Sequence, residues 1–266
     1  MNRGFLLYHH PMSVCSQRPR FVLAEKGAEW ESRLIDIGKG EQRAPGYLAL
    51  NPRGVVPTLV HGKFVLSQSL VIAEYLDAIL PGPRFIPTTS TAVARMREWL
   101  QPFDERLHLD FSTISYAVFI AKEIRSHCPT PQTRSAYFSS QPDRTRAEVL
   151  SDIVEYGTQS RFLKAAIDQW VAQLALIGAN LLSSRFMIGD AVTLADVAYL
   201  PYIDRFEAMG FSRLWREWPV IDLWLAALRD TSGYRLGCAS WFPPERMAEI
   251  GLQGAAAWRD IAGNAG

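Results

Sequence analysis

Asn51-Pro52-Arg53-Gly54-Val55-Val56-Pro57-Thr58-Leu59-Val60-His61-Gly62-Lys63-Phe64-Val65-Leu66-Ser67-Gln68-Ser69 carries the signals that set the architecture of the chain. Leu48 to Gly54 is a loop with turn chemistry at Asn51-Pro52-Arg53-Gly54. Val55 to Val60 and Lys63 to Leu66 then read as a hairpin about His61-Gly62, because two β-branched and aromatic runs flank a glycine turn. An amphipathic helix comes next, from Ser69 through Ile72, Tyr75 and Leu76 to Leu80. Upstream, Phe5 to Tyr8 reads as a buried strand that stops at His9-His10-Pro11-Met12, where proline removes a ladder donor. A helix runs from there to Gly27, with Ser13 or Ser16 as its cap; if Ser16 is the cap, Pro19 falls in the first turn, where no intrahelical donor is lost. Trp30 to Ile37 alternates as a second strand, closed by Gly38-Lys39-Gly40. The order β-α-β, then β-β-α, is that of an α/β thioredoxin-like domain.

Downstream of this domain, Pro81-Gly82-Pro83-Arg84-Phe85-Ile86-Pro87-Thr88-Thr89-Ser90 cannot be continuous helix or sheet. The domains are therefore placed at 1–82, a linker at 83–91, and an all-α domain at 92–266. Arg95 to Leu107, Ser112 to Ile124 and Ala165 to Leu182 have helical apolar spacing. Ser126 to Gln141, rich in Pro, Ser, Thr and Gln, reads as a mobile insertion. No repeat or low-complexity tract interrupts the chain.

The bulk numbers exclude several classes. With 266 residues, 48% hydrophobic and 21% charged, the chain is an ordinary globular one. The formal net charge of +1 gives no global field toward nucleic acid or an anionic membrane. Three scattered cysteines, Cys15, Cys128 and Cys238, form neither a disulfide framework nor a metal cluster, and fit a reducing compartment. The apolar run after Met1 is too short for a signal-peptide core and none is long enough to span a membrane, so a cytoplasmic protein is expected. His108 and His127 lack partners at ligand spacing, His9 and His10 read as turn residues at a site mouth, and no metal is expected. Trp215, Trp218 and Trp224 read as core.

Chemistry concentrates at Met12-Ser13-Val14-Cys15-Ser16, a strand-to-helix turn where unpaired N–H groups and a partial positive charge favour an anion or a thiolate. Ser13 or Ser16 could instead merely cap the helix, and Cys15 could be packing. Val56-Pro57 taken alone reads as trans. Ser69 is an ordinary N-cap that could equally offer its hydroxyl to a ligand carboxylate.

Together these segments resemble a family. Ser13-x-Cys15-Ser16, Asn51-Pro52-x-Gly54-x-Val56-Pro57-x-Leu59, Gln68-Ser69 and Ile72-x-Glu74-Tyr75-Leu76 resemble the amino-terminal domain of glutathione transferases. Gly189-Asp190-x-x-Thr193-Leu194-Ala195-Asp196 resembles that family's capping box, in which Thr193 and Asp196 satisfy each other's helix-start donors. The resemblance implies glutathione as cosubstrate, a homodimer, and no nucleic-acid or membrane partner. It implies that Ser13 donates to the glutathione sulfur, with Cys15 and Ser16 as further catalytic candidates. Val56, before a cis Pro57, would pair with the tripeptide as an added strand. Gln68 and Ser69 would hold the γ-glutamyl end, and Gln42, with Lys39, Arg43 or Arg53 nearby, the glycyl end. Lowering a thiol from about 8.5 by about two units needs about 2.7 kcal/mol. One hydrogen bond to a charged acceptor, about 1.5–3 kcal/mol, and one helix terminus, about 0.3–1, suffice.

Met12-Ser13-Val14-Cys15-Ser16 resembles the zeta-like branch with its reductive dehalogenases, whereas Ser16-x-x-Pro19, Asn51-Pro52-Arg53-Gly54 and Ser112-Thr113-Ile114 resemble the bacterial β-etherase branch. The β-etherase likeness implies attack of the glutathione thiolate on a hydrophobic, aromatic electrophile; the dehalogenase likeness implies instead reductive dehalogenase or thiol-reductase chemistry through a mixed disulfide of glutathione with Cys15. Met12, Phe111, Ser115, Tyr116 and Phe119 are the residues expected to meet it, although an aromatic stripe including Trp99 and Phe103 is also what a helical core produces. The opposing class is a non-catalytic ligand-binding module, which a complete Ser13, Pro57, Gln68 and Ser69 set argues against.

Overall fold

Strand β1 (Phe5–His9) pairs in parallel with β2 (Trp30–Leu34), reached through helix α1 (Val14–Glu25), and antiparallel with β3 (Thr58–His61), which turns back into β4 (Phe64–Leu66). The sheet order is β2-β1-β3-β4. This is a computed structural model that describes residues 4–264, with side chains to Ile261. Met1 to Arg3, from which the signal-peptide argument starts, and residues 265–266 lie outside the described residues. β2 ends at Leu34, short of the expected Ile37, and four of its five residues face solvent, as suits an edge. The expected strand from Val55 starts only at Thr58, since Pro57 has no N–H for a ladder. The tight turn falls at Gly62-Lys63, where Gly62 has φ 64°. Short helix α2 (Pro45–Leu48) precedes β3, and α3 (Ser69–Ile79) comes after β4.

From Ser90 the chain is helical. Helices α4 (Ser90–Pro102), α5 (His108–Ser115) and α6 (Ala121–His127) run on through two π-helical segments, Phe103–Leu107 and Tyr116–Ile120. Each π turn adds a residue and rotates the downstream helix by about 100°. Pro102, without an N–H, stands immediately before the first. Ser126 to Gln141 is not a mobile insertion: α7 (Pro131–Ser139) occupies it, started by a reciprocal capping box between Thr130 and Thr133. Phe138 anchors this helix beside Ala121, Ile124 and Leu150, so the polar composition reflects its outer face. Then come α8 (Arg144–Tyr156), capped by Asp143, α9 (Leu163–Leu181), α10 (Leu194–Ala208), α11 (Val220–Arg229), α12 (Ser232–Gly237) and α13 (Pro244–Asn264).

The chain divides into two compact units. One runs to Leu100 and includes Asn180–Asp204 and Val220–Pro243. Its core holds Leu7, Phe21, Leu59, Ile72, Leu76 and Trp224. Within it, α12 meets α1 at two glycines: a Cβ on Gly237 would lie 2.5 Å from the Arg20 carbonyl oxygen, and one on Gly233 would lie 2.8 Å from the Phe21 ring. Asp196, at the start of α10, accepts from the Thr193 N–H, the Thr193 hydroxyl, the Met187 N–H and Trp224 Nε1, each at 2.8 Å. The expected capping box is thus one-sided: the Thr193 hydroxyl donates to the carboxylate rather than accepting from the helix.

The other unit comprises Gln101–Ala179, Arg205–Pro219 and the chain from Pro244. A train of rings, Phe111, Trp170, Phe206, Phe211 and Trp258, with successive centroids 5.0–6.5 Å apart, runs through it. Trp215 and Trp224 are core as expected, while Trp218 is half-buried and lies against Gly178.

Candidate active site

The strand register gathers four expected segments at one end of the sheet. Tyr8 is opposite Thr58, so the loop after β1 and Val56-Pro57 before β3 leave the same end. His9 is beside Leu34, so the loop carrying Gln42 leaves there too. Leu66 is opposite Leu59, which returns Gln68-Ser69 to that end.

In the first loop, Ser13 is the N-cap of α1, not Ser16: its Oγ accepts from the Ser16 N–H at 3.2 Å. Ser16 lies inside the first turn with 0% exposure, its Oγ accepting from the His10 N–H at 3.4 Å. Pro19 consequently falls in the second turn and not the first. Capping engages a lone pair of the Ser13 oxygen and leaves its hydroxyl proton free to donate, so cap and activator are compatible roles. Ser13 is half-buried, as is Cys15, whose Sγ stands 3.8 Å from the Tyr202 hydroxyl.

The Val56-Pro57 bond is cis, as the resemblance implies. Tyr47 Oη and Asn51 Nδ2 both donate to the Val55 carbonyl, at 2.7 and 2.6 Å, and both reach the Thr58 hydroxyl. No hydrogen bond within the described residues uses the Val56 N–H or C=O. Gln68, rather than Ser69, is the N-cap of α3, with no side-chain capping bond. Ser69 occupies the first helical position, and its Oγ accepts from Arg18 Nη1 at 3.1 Å. Arg18 is itself buried, with two further donors on the Ala198 carbonyl and its guanidinium over the Tyr202 ring. Gln42 is buried in a 3-10 turn, its Nε2 donating to the Ile37 carbonyl and its Oε1 without a partner. Lys39 is bound to Asp36, and Arg53 is exposed.

Among the residues expected to meet a hydrophobic substrate, Met12 is half-buried in the first loop, its N–H donating to His10 Nδ1. Phe111 is a member of the ring train, edge-on to Trp170 and Phe206. Ser115 is buried with its hydroxyl unpartnered, Tyr116 is half-buried, and Phe119 lies beneath Arg205 and Arg246. Trp99, by contrast, packs against Tyr199.

Two residues escaped sequence reasoning. His9 is no turn residue at a site mouth: it ends β1 with 0% exposure, Nδ1 2.9 Å from Arg20 Nη1 and ring edge-on to Trp241. Burial, and then the Arg20 charge, hold its imidazole down to about 3. Arg20 is also fully buried, which lowers its guanidinium to about 10. An arginine one residue past a proline carries no local signal of burial. Among the described residues no group of three or more His, Cys, Asp or Glu is placed to hold a metal ion, and no helix is long and apolar enough to cross a membrane.

The chain thus carries a thioredoxin-like sheet with these four segments at one end, followed by a run of helices. The family model for the glutathione S-transferase N-terminal domain matches residues 12–79, and that for the C-terminal domain matches 147–227. Glutathione S-transferase 3 of Zea mays is 33% identical over 199 residues, 73% of this chain and 76% of that protein. Tetrachloro-P-hydroquinone reductive dehalogenase of Sphingobium chlorophenolicum is 28% identical over 223 residues, 77% of this chain and 84% of that protein. The crystal structure of beta-etherase LigF from Sphingobium sp. strain SYK-6 superposes with a TM-score of 0.79 at 24% identity, covering 88% of this chain and 98% of that one. The chain belongs to the glutathione S-transferase family. It is a glutathione transferase, with glutathione as its cosubstrate.

Proposed function

We propose that the Ser13 hydroxyl donates to the glutathione sulfur, and that the resulting thiolate attacks a hydrophobic aromatic electrophile, cleaving an aryl ether. The new C–S bond forms at the ether carbon as the C–O bond breaks, and the departing aryloxide takes a proton from water. The observation that carries this reading is the convergence of Ser13, Gln42, Val56-Pro57 and Gln68-Ser69 at one sheet end, with the free Ser13 proton. The unused Val56 main chain suits an added tripeptide strand. The likeness to beta-etherase LigF favours the ether. In this reading residues 1–82 bind glutathione, 83–91 link, and 92–266 hold the second substrate against Met12, Phe111, Ser115, Tyr116 and Phe119. The two matched family domains lie on either side of that linker. The protein acts as a cytoplasmic homodimer: Phe64, Val65 and Val71, 56%, 39% and 48% exposed on β4 and α3, give an apolar surface for a two-fold contact.

Ser13→Ala is expected to raise the pKa of bound glutathione and to lower aryl transfer by roughly tenfold or more, about 1.4 kcal/mol of transition-state stabilisation. Cys15→Ser should leave that transfer nearly intact. Turnover of a generic aryl halide and of a model aryl ether by both variants is the test. The partly exposed Cys15 beside Tyr202 favours a second reading, reductive dehalogenation through a Cys15–glutathione mixed disulfide. Loss of activity in Cys15→Ser, with glutathione found on Cys15 by mass spectrometry, would put that chemistry in place of conjugation.

Ser69→Ala should weaken glutathione binding by about 1 kcal/mol or more. Part of that loss is indirect, since Ser69 Oγ also accepts from the buried Arg18 Nη1. Calorimetry at neutral pH showing unchanged affinity would move the γ-glutamyl site elsewhere.

A further inference from the structure

The buried Arg20 presents a physical problem. Its guanidinium has 0% exposure, and among the described residues no carboxylate pairs with it. Burying such a charge costs several kcal/mol, and an apolar side chain of similar volume would fill the space more cheaply. What an apolar side chain cannot do is donate. Arg20 Nε donates to the Gly237 carbonyl at 2.7 Å, Nη1 to the His10 carbonyl at 3.1 Å, and Nη2 to the Pro11 carbonyl at 2.9 Å. Nη1 also meets His9 Nδ1 at 2.9 Å. Arginine has no acceptor, so Nδ1 accepts and the His9 proton sits on Nε2.

One side chain therefore fastens three consecutive residues, the last of β1 and the first two of the loop that leads from it to Ser13. The link to Ser13 is direct, because the His10 carbonyl that takes Arg20 Nη1 also takes the Ser13 N–H, at 3.2 Å. The guanidinium is fixed in turn from α12 and the residues after it. Its centre lies 5.2 Å from the Trp241 ring centroid, and Gly237 brings its carbonyl within reach because α1 and α12 touch there backbone to backbone.

We propose that Arg20 is the positioning residue for Ser13, holding the activating hydroxyl through the His10 and Pro11 carbonyls, with Gly237 and Trp241 as its seat. The inference rests on Ser13 being the activator. It adds that the Ser13 proton is aimed by a fork of donors that lysine cannot reproduce, since an ammonium offers its donors from one point.

The test uses the full-length protein and glutathione, with the thiolate absorbance of the bound tripeptide titrated against pH and an aryl halide as second substrate. Arg20→Lys should raise the bound thiol pKa by about one unit toward its free value near 8.5. It should lower kcat by about tenfold while the glutathione KM stays within about twofold, a split that general loosening of the fold would not produce. In Ser13→Ala/Arg20→Lys the loss should match that of Ser13→Ala alone, because both changes remove one interaction. A folded Arg20→Lys with wild-type thiol pKa and kcat overturns the proposal, and so does a double variant in which the two losses multiply. Should Arg20→Lys fail to fold, Trp241→Leu, which keeps the arginine but removes its stacking face, is read the same way. A wild-type thiol pKa in that variant also overturns it. If Ser13→Ala, with Arg20 intact, leaves the thiol pKa unchanged, the activator itself is wrong, an outcome distinct from failure in the arginine variants alone.

Discussion

Asp196→Ala is expected to cost about 3–5 kcal/mol of stability, because it leaves buried donors facing nothing. The carboxylate takes two main-chain N–H groups, one hydroxyl and one indole N–H. These come from the start of α10, the loop at Met187 and Trp224 on α11, so one side chain ties three parts of one unit. Burial pushes its carboxyl above the ordinary range, and the donated hydrogen bonds oppose that shift. Asp196→Asn should recover little, since the amide presents a donor where a donor already points. Urea unfolding of both variants at neutral pH is the measurement. A loss under about 1 kcal/mol for Asp196→Asn would mean that the native site holds the neutral acid.

Acid should destabilise this protein well above the range in which carboxylates titrate, through His9. Its folded pKa of about 3 lies below the ordinary 6.5, so the unfolded chain binds a proton that the native state refuses. Stability is then fully present above pH 6.5 and falls as pH drops toward 3. The slope is about 1.4 kcal/mol per pH unit at most, or roughly 2 kcal/mol between pH 6.5 and 5. His9→Asn keeps an acceptor for Arg20 but cannot titrate. It should be less stable at pH 7, having lost ring packing on Trp241, yet show a flatter profile between pH 6.5 and 5. Equal slopes for wild type and variant would assign the acid sensitivity to other groups.

The architecture of the first 80 residues is legible because glycine, proline and strand alternation punctuate it at short range, and the same signals fix which loops meet. Finer placement is not, because it depends on contacts distant in sequence. Ser13 and Ser16 are equally good caps by residue type; what decides between them is that Ser16 is drawn beneath the His10 amide. Arg20 and His9 are buried by a seam with residues more than 200 positions away, which no local pattern announces. In the helical part, Trp99, Phe103, Phe111, Tyr116 and Phe119 look like one stripe only if the helix is uniform. The π segment at Phe103–Leu107 rotates it before Phe111, which meets Trp170 while Trp99 meets Tyr199, and the segment at Tyr116–Ile120 rotates it again before Ala121. The helix in Ser126 to Gln141 is hidden because its capping threonines and outer polar face share the composition of a loop.

Where Gly237 meets the Arg20 carbonyl, two backbones touch with no side chain between them to yield. Such a seam cannot breathe by rotamer change; it opens only when a whole helix lifts. Solvent deuterium should therefore enter the second half of α1, around Phe21 to Ala24, only through large-scale unfolding. The helix that begins at Ser13 is thus anchored at its far end by main chain alone, so a bulkier residue at Gly237 would have to displace the whole helix rather than one side chain.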